Sequence, residues 1–557
     1  MDSDSITRLE KIKSAPIDGQ VLKKLVSAGL AWLRANQQEV NSLNVFPVPD
    51  GDTGTNMVLT MQSAYNEIDT LPHREIGHMA AAVSQGALMG ARGNSGVILS
   101  QLWRGFARAL HGTINLDGAL LVKAFAEARD TAYKGVVRPV EGTILTVAKD
   151  IASAAAEAGE TTNNPVEILE RIIPAAEASV LRTPDLLPVL KQAGVVDSGG
   201  KGLFFILEGM YRFMVGESLE TPNTAVQPLS AMNLENAMDS IEPGQDFEVV
   251  VDFIPQDPLD LQKFYEGLEK IGTSIQVGEG EGMYRMHIHV EEEKRYEPID
   301  YVMKMGTITK VALENLVAQM EMVGKEQAAD QVELAKIEPG QIAVVAVSPG
   351  RGISRVFGSL GAAAIVEGGQ TMNPSTRDIL EAFENLPTDT IIILPNNKNI
   401  ILAANAAKDV TVKNVHVVPS RSIPQGLAAM MHLNPDGDLE TVSTKMTKAI
   451  EEIITIEITT ATRSVEIDGV AVEQGQVIGM LNGKLAVSAT SVEEACLESL
   501  KKADAPQYEL ITLFFGEDLS TKEAYRISDA IRAAYPSMEI ELQDGGQPHY
   551  QFIISLE

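Results

Sequence analysis

The sequence predicts a multidomain fold: an all-α helical bundle, then a small α+β domain, then an α/β domain. Three observations support this prediction. Apolar residues recur at helical spacing up to about residue 215, strand-like alternation starts near residue 243, and strands alternate with helices after residue 338. At 557 residues the chain exceeds the length at which a single core stops growing, so several domains are expected.

The helical prediction for residues 1–215 rests on repeats such as Leu22, Leu25 and Leu33, whose spacing places them on one helix face. Alternation of β-branched residues is scarce in this region. Residues 216–242 lose the helical periodicity and are therefore predicted to be a linker.

The middle domain is predicted over residues 243–335. Phe247, Val249 and Val251 occupy alternate positions, which is typical of a strand. The other predicted elements are strands at 273–277 and 284–290 and helices at 259–271, within 300–315 and at 319–335.

The carboxyl-terminal domain is predicted over residues 338–557. It opens with the apolar run Ile342–Val347, which is typical of a buried strand. Further strands are predicted at 364–366, 390–394 and 415–418, with helices between them. This alternation indicates a doubly wound parallel sheet with right-handed crossovers, followed from Thr455 by mixed strands and two helices.

Composition excludes several classes of protein. The chain has 45 Lys and Arg residues against 76 Asp and Glu residues, a formal net charge of −31, which argues against binding nucleic acid or an anionic membrane surface. No apolar run approaches the roughly 20 residues needed to span a bilayer, and no signal region is present, so a cytoplasmic location is expected. The single cysteine, Cys496, is predicted to be a buried apolar residue.

The most informative segment runs from Asn44 to Met57. It places Asp50 and Asp52 two residues apart, with the amide of Asn56 nearby, at the predicted start of a helix. Oxygen ligands beside a helix amino terminus suit Mg²⁺ and the phosphates of a nucleotide. The alternative is an ordinary Asx-type turn, because the same residue types favour turns.

Three further junctions lead from small-residue loops into predicted helices. They lie at Gly90–Gln101, Arg138–Thr143 and Val195–Gly202. Each offers free N–H groups and small polar side chains to an anion. We therefore expect the four loops to gather at one end of the bundle, although each could also be a simple connection with a helix cap.

These four segments resemble the L-subunit domain of dihydroxyacetone kinases, in the arrangement of the large subunit of bacterial fatty acid kinase. The resemblance extends to the carboxyl-terminal region, through Gly368–Thr376, Leu394–Asn399, Ser422–Gly426 and Asp544–Pro548. It implies a helical domain that binds ATP and two Mg²⁺ ions at one end. It also implies a DegV-related carboxyl-terminal region that docks a carrier protein.

The resemblance assigns Asp50 and Asp52 to the two metal ions. A third aspartate of the dihydroxyacetone-kinase pattern is replaced here by Val45, and Asn44 beside it is the candidate substitute. The nucleotide contacts that it implies fall on all four junctions: Thr53, Gly54, Thr55, Asn56, Gly93, Asn94, Ser95, Gly96, Thr143 and Asp197. For the last two, helix capping is an equal alternative.

The function implied is that of an ATP-dependent kinase subunit. It would phosphorylate the carboxylate of a fatty acid presented by a DegV-like protein, giving acyl phosphate and ADP for phospholipid synthesis, and it could form a homodimer. Arg92 and Arg138 are candidates for stabilising transferred charge, or else solvated surface residues. The alternatives are a stand-alone glycerone or polyol kinase and a non-catalytic nucleotide-binding regulator.

The middle domain carries a candidate zinc site. His287 and His289 are two residues apart on a predicted strand, so both project from one face. In the resembling family a His-x-His pair is joined by a cysteine, where this chain has Asp246. Strand alternation places two histidines on one face without any metal, so the zinc site remains one of two interpretations.

Overall fold

The structure, a computed structural model, describes residues 16–43, 51–136, 138–219, 227–228, 247–256, 259, 261–280, 283–315, 332–467 and 469–557. The chain divides into two compact units, one formed by residues 1–219 and 332–557 and the other by residues 220–331. The predicted fold class is confirmed, with a helical region, a small middle region that contains strands and a carboxyl-terminal α/β region.

The amino-terminal region is helical throughout its described part. Its helices are α1 (Gly19–Ala35), α2 (Gln37–Ser42), α3 (Thr53–Ile68), α4 (Ile76–Met89), α5 (Gly93–Ala109), α6 (Gly118–Lys134), α7 (Ile144–Gly159), α8 (Pro165–Leu186), α9 (Pro188–Ala193) and α10 (Ser198–Val215). The periodic residues Leu22, Leu25 and Leu33 are buried in one core with Met57 and Leu203. Among the described residues, no helix has both the length and the apolar character needed to cross a bilayer.

The middle unit is built around a five-stranded sheet. Its elements are β1 (Gln227–Pro228), β2 (Phe247–Pro255), α11 (Leu261–Leu268), β3 (Thr273–Gly280), β4 (Met283–Val290), α12 (Glu297–Met303) and β5 (Gly306–Asn315), and the strand order is β1-β3-β4-β2-β5. The helix predicted within 300–315 ends at Met303, and the remainder is a strand paired antiparallel with β2. Alternating Thr307, Thr309 and Val311 suit that edge position. The helix predicted at 319–335 lies mostly outside the described residues.

The carboxyl-terminal region begins with a four-stranded parallel sheet. Its elements are β6 (Ile342–Ser348), α13 (Arg351–Ser359), β7 (Ala364–Glu367), α14 (Thr376–Glu384), β8 (Thr390–Leu394), α15 (Ile401–Val410), β9 (Asn414–Val417), α16 (Ile423–Met430) and α17 (Leu439–Glu452), and the strand order is β7-β6-β8-β9. Every residue of β6 is buried, as expected for a central parallel strand covered on both faces. The four strands predicted here are confirmed.

A second, mixed sheet completes this region. The elements are β10 (Ile454–Thr460), β11 (Val465–Ile467), β12 (Val470–Val472), β13 (Val477–Leu481), β14 (Lys484–Ala489), α18 (Val492–Lys502), β15 (Leu510–Phe515), α19 (Thr521–Ala534), β16 (Glu539–Asp544) and β17 (Tyr550–Leu556), and the sheet has the order β14-β13-β10-β17-β15-β16. Cys496 on α18 is fully buried in an apolar cluster, and burial raises the pKa of its thiol. The prediction for this cysteine is therefore confirmed.

The helical region and the parallel sheet belong to the same compact unit and share a core. Ala91 and Val97, at the start of α5, lie in one buried apolar cluster with Val345, Ile379 and Ala403 of the sheet region. A short antiparallel bridge also joins Arg92 to Ser375. The beginning of α5 is therefore fixed against the carboxyl-terminal region.

Candidate active site

The structure brings the four loop-to-helix junctions together at one end of the helical region. Helices α3, α5, α7 and α10 begin there. The hydroxyl of Ser198, at the start of α10, donates to Oγ1 of Thr53, at the start of α3, over 3.2 Å. Residues of the other junctions line a common cavity beside this contact. The expected gathering of the loops is confirmed, and it turns four helix amino termini towards one place.

Asp52 is the described carboxylate of the predicted metal pair. It precedes the first residue of α3, where its side chain makes no capping hydrogen bond. Its Oδ2 atom accepts instead from Nδ2 of Asn373, over 2.5 Å, across the contact with the carboxyl-terminal region. Asp50 and Asn44 lie outside the described residues. Their assignment to the metal ions therefore stays a prediction.

The first turn of α3 is held by two residues that the sequence analysis missed. Oδ1 of Asn41 accepts from the N–H groups of Gly54, over 2.8 Å, and Thr55, over 3.2 Å. The Thr55 hydroxyl also accepts from Gln37, over 2.9 Å. The N–H groups of Gly54 and Thr55 were expected to bind phosphate, but they donate to Asn41 within the protein. The available signal was the i, i+4 spacing of Gln37 and Asn41, which places both side chains on one face of α2.

The second loop has close backbone packing at Gly93 and Gly96. Gly93 has a φ of +57°, and a Cβ there would lie 2.7 Å from Nδ2 of the buried Asn56. A Cβ on Gly96 would lie 2.4 Å from the Thr60 hydroxyl. Both positions therefore require glycine, the first by conformation and the second by close approach. Asn94, the remaining predicted amide of this loop, donates to Oδ1 of Asn399 over 3.4 Å.

A cavity of about 280 Å³ adjoins these junctions. Its size lies near the lower end of the range for ligand pockets. It combines an aliphatic wall with polar groups from all three later junctions, and its lining residues are Asn94, Ser95, Ile98, Val136, Arg138, Val140, Thr143, Ile144, Leu145, Asp197, Ser198, Gly199 and Leu402. Such a mixture suits a flat apolar group with polar substituents.

Thr143 and Asp197 both cap helices, as the alternative interpretation held. The Thr143 hydroxyl accepts from the N–H group of Leu145 over 3.4 Å, and Oδ2 of Asp197 accepts from that of Gly200 over 2.7 Å. Both residues also line the cavity. Capping therefore fixes these side chains at the wall of the cavity and does not remove them from it.

Burial makes the carboxyl group of Asp197 a weaker acid than that of an ordinary aspartate. It raises the pKa of this carboxyl to about 6, although the N–H groups of Gly200 and Ile144 lower it. The folded chain thus holds this proton more tightly than the unfolded chain, whose carboxyl has a pKa near 3.8. The contribution of Asp197 to stability is consequently present below pH 4 and is lost as the pH rises towards 6.

We expect Asp197→Asn to remove this loss of stability. Between pH 4 and pH 6 the free energy of unfolding of the variant should decline less than that of the parent chain, by up to about 3 kcal/mol. Urea unfolding at several pH values measures the difference. Parallel curves for the two chains would show that Asp197 titrates normally.

Both predicted arginines are described. Nη1 of Arg92 donates to the backbone oxygen of Asn373 over 2.9 Å, and Nη2 lies 3.3 Å from Oδ2 of Asp378. The guanidinium thus binds the carboxyl-terminal region next to Asp52. Arg138 is exposed at the rim of the cavity. A catalytic contact by either arginine stays a prediction.

The donor set beside Asp52 fits a hard divalent cation. Asp52 supplies a carboxylate, and Oδ1 of the neighbouring Asn373 is buried with no hydrogen-bond partner among the described residues. Carboxylate and amide oxygens are ligands that Mg²⁺ accepts in proteins, usually with phosphate oxygens and water. The residues present therefore suit the ion that the sequence analysis expected.

The candidate zinc site in the middle unit is not supported. His287 and His289 do share one face of β4, and both are fully buried, with ring centroids 4.9 Å apart. Nε2 of His287 lies 2.9 Å from a carboxylate oxygen of Glu248, and burial lowers the pKa of His289. Within the described part of the chain, no group of three His, Cys, Asp or Glu side chains is placed to hold a metal, and Asp246 falls outside it.

Three family models match the chain. A DAK2 domain matches residues 47–212, the middle domain of the FakA-like fatty acid kinase family matches 243–323, and the C-terminal domain of the same FakA-like family matches 343–557. Together they match all three regions of the predicted fold.

Similar proteins extend over the whole length. Protein YloV of Bacillus subtilis is 38% identical, covering 97% of this chain and 99% of YloV. An uncharacterised protein of Staphylococcus aureus strain USA300 is 37% identical with the same coverage.

Solved structures resemble parts of the chain. Dihydroxyacetone kinase from C. freundii, in complex with AMP-PNP and Mg²⁺, is 19% identical with a TM-score of 0.28, covering 36% of this chain and 35% of that one. The Streptococcus pneumoniae fatty acid kinase B3 protein, loaded with linoleic acid, is 15% identical with a TM-score of 0.26, covering 33% and 76%. On the family models and the full-length relatives, the chain belongs to the FakA-like family of fatty acid kinase proteins.

Proposed function

We propose that the chain is the ATP-dependent subunit of a fatty acid kinase. It transfers the γ-phosphoryl group of ATP to the carboxylate of a fatty acid that a DegV-like protein presents, and releases acyl phosphate and ADP. Membership of a kinase-type family supports the reaction class. The acceptor and the partner go beyond that membership and are part of the proposal.

The observation that carries the proposal is the arrangement around Asp52. This carboxylate lies where the amino termini of four helices converge, next to a cavity with an aliphatic wall. Helix amino termini attract phosphate groups through their dipoles, and this attraction persists although the N–H groups of Gly54, Leu145 and Gly200 already donate within the protein. The arrangement therefore suits a nucleotide whose base occupies the cavity and whose phosphates extend towards Asp52.

In phosphoryl transfer a protein mainly positions the reacting groups and neutralises charge. When bound, Mg²⁺ would neutralise the phosphate oxygens. Asp52 and Asp50 would hold it, and the loop of Gly93 and Asn94 would place the phosphates. Thr143 and Asp197, fixed as helix caps, would contact the sugar and base side.

A carboxylate acceptor suits this site because it requires no general base. Fatty acid carboxylates are already ionised at neutral pH, whereas a hydroxyl acceptor must lose a proton during transfer. The acyl chain itself would be bound by the carrier, which docks on the carboxyl-terminal region.

Purified components test the proposal. The full chain is mixed with ATP, Mg²⁺, linoleic acid and the Streptococcus pneumoniae fatty acid kinase B3 protein, whose solved structure holds that fatty acid. We expect ADP and acyl phosphate only when chain, carrier and fatty acid are all present, because the carrier has to present the fatty acid carboxylate to the ATP bound by the chain. Coupled ADP release and hydroxylamine trapping of the acyl phosphate measure the two products.

The other outcomes identify other functions. Turnover with glycerone in the absence of a carrier would indicate a stand-alone glycerone or polyol kinase. Binding of AMP-PNP without turnover of either acceptor would indicate a nucleotide-binding regulator. Both results would contradict the fatty acid kinase assignment.

A further inference from the structure

One loop of the carboxyl-terminal region, residues 368–375, reaches the predicted metal ligand of the helical region. We propose that Asn373 of this loop is a positioning residue of the phosphoryl-transfer site. Its amide group orients Asp52, and its amide oxygen contacts the divalent cation, directly or through a cation-bound water. The inference rests on the proposed function and extends the site into a region otherwise assigned only to carrier docking.

The contact between the two side chains is direct and buried. Nδ2 of Asn373 donates to Oδ2 of Asp52 over 2.5 Å, and only 2% of Asn373 is exposed. A Cβ built on Gly93 would lie 3.6 Å from the same nitrogen, so the second loop also borders it. Asn373 therefore lies where the first two junctions meet.

The loop is held in place by contacts that do not involve the Asn373 side chain. Arg92 binds the backbone oxygen of Asn373 and lies near Asp378. The N–H group of Thr376 donates to the backbone oxygen of Ala91 over 3.2 Å. Ser375 and Asp378 form a reciprocal capping box at the start of α14. Truncation of the Asn373 side chain should therefore leave the loop where it is.

The amide oxygen of Asn373 gives separate support for a cation at this site. An ionised carboxylate can only accept hydrogen bonds, so the atom that faces Asp52 must be the amide nitrogen. The oxygen Oδ1 of the same amide is then the atom that is buried without a hydrogen-bond partner among the described residues. Buried polar atoms are almost always satisfied, and an exception points to a missing ion or water. Beside a carboxylate, a hydrated divalent cation is the group that fits.

Two more contacts extend the carboxyl-terminal region over the site. Asn399 accepts from Asn94 of the second phosphate loop, and Leu402 at the start of α15 lines the cavity. The carboxyl-terminal region thus borders both the metal end and the cavity end of the site.

Metal binding by the full chain tests the role of Asn373. Mn²⁺ is titrated against the chain saturated with AMP-PNP and followed by electron paramagnetic resonance. We expect Asn373→Ala to weaken Mn²⁺ binding by about 10- to 100-fold, the loss that follows removal of a group that orients a metal ligand. Asn405→Ala is the matched control, because this amide lies on α15 and donates only within its own helix. It should bind Mn²⁺ as the parent chain does.

Asn373→Asp tests whether the side-chain oxygen at this position contributes to metal binding or whether the side chain only supports the structure. It keeps a side-chain oxygen at the site, so it should bind Mn²⁺ more tightly than Asn373→Ala. The inference is overturned if Asn373→Ala binds Mn²⁺ like the parent chain, if it binds more tightly, or if Asn373→Asp is as weak as Asn373→Ala at an unchanged Tm. Failure of the parent chain to bind Mn²⁺ with AMP-PNP would instead overturn the proposed function.

Discussion

Asp52→Ala is expected to lower the rate of phosphoryl transfer by about a thousandfold while the chain still folds. Asp52 is the described carboxylate at the convergence of the four helix amino termini, and it makes no capping bond whose loss would unravel α3. Its loss would leave the cation without a charged ligand from the described part of the site. Carrier-dependent ADP release and Mn²⁺ binding measure the two consequences. Asp50→Ala, two residues earlier, should have a comparable effect.

The matched control for this substitution is Asp69→Ala. Asp69 follows the last residue of the same helix, at the opposite end, and is exposed. The substitution removes one negative charge from the end of α3 that is remote from the site, so we expect activity to be retained. Full activity in Asp52→Ala, or equal losses in both variants, would contradict the assignment of Asp52 to the metal.

Gly54→Ala is expected to weaken nucleotide binding by at least tenfold, that is by about 1.4 kcal/mol or more, and to lower the free energy of unfolding by about 1 to 3 kcal/mol. A Cβ at this position would lie 2.5 Å from the backbone oxygen of Gln37 and 2.8 Å from Oδ1 of Asn41. A backbone oxygen cannot rotate away, so the start of α3 must shift. Asp52 and Thr53 would move with it. Calorimetric titration with AMP-PNP and Mg²⁺ measures the affinity.

Gly29→Ala provides the comparison. Gly29 lies inside α1, and a Cβ there would lie 2.9 Å from the backbone oxygen of Ile206, within the bundle core. Both substitutions overpack a close contact between two helices. The stability losses should therefore be similar, whereas only Gly54→Ala should affect nucleotide affinity. Equal affinities in the two variants would mean that the start of α3 does not contact the nucleotide.

Much of the fold follows from local sequence patterns. The spacing of Leu22, Leu25 and Leu33 predicted helices, and the run Ile342–Val347 predicted a buried strand, because each pattern reports which face of its own element is apolar. The strand at 306–315 was not predicted, and the reason is the same. An edge strand is only partly buried, so its apolar and polar residues alternate less regularly than those of a buried strand. This weak pattern did not distinguish the strand from the helix that ends just before it, at Met303.

Part of the site was also accessible from local patterns. Small residues before apolar runs identified all four helix starts, because capping and close approach depend on neighbouring residues. The partners of those helix starts were not identified. The N–H groups of Gly54 and Thr55 were expected to face phosphate, but Asn41 accepts from both of them. Only the packing of α2 against α3 places that side chain within reach.

The sequence by itself determined the family, the order of helical and sheet regions and the residues that open each helix of the site. The tertiary structure decided which of these groups meet. Asn373 and Asp52 are 321 residues apart in the chain, and no periodicity or cap relates positions so distant. Their contact exists because Ala91 and Val97 share a buried core with the parallel sheet, which brings a loop of the sheet region onto the start of α3. Burial of apolar surface between distant segments, rather than any local preference, creates that contact.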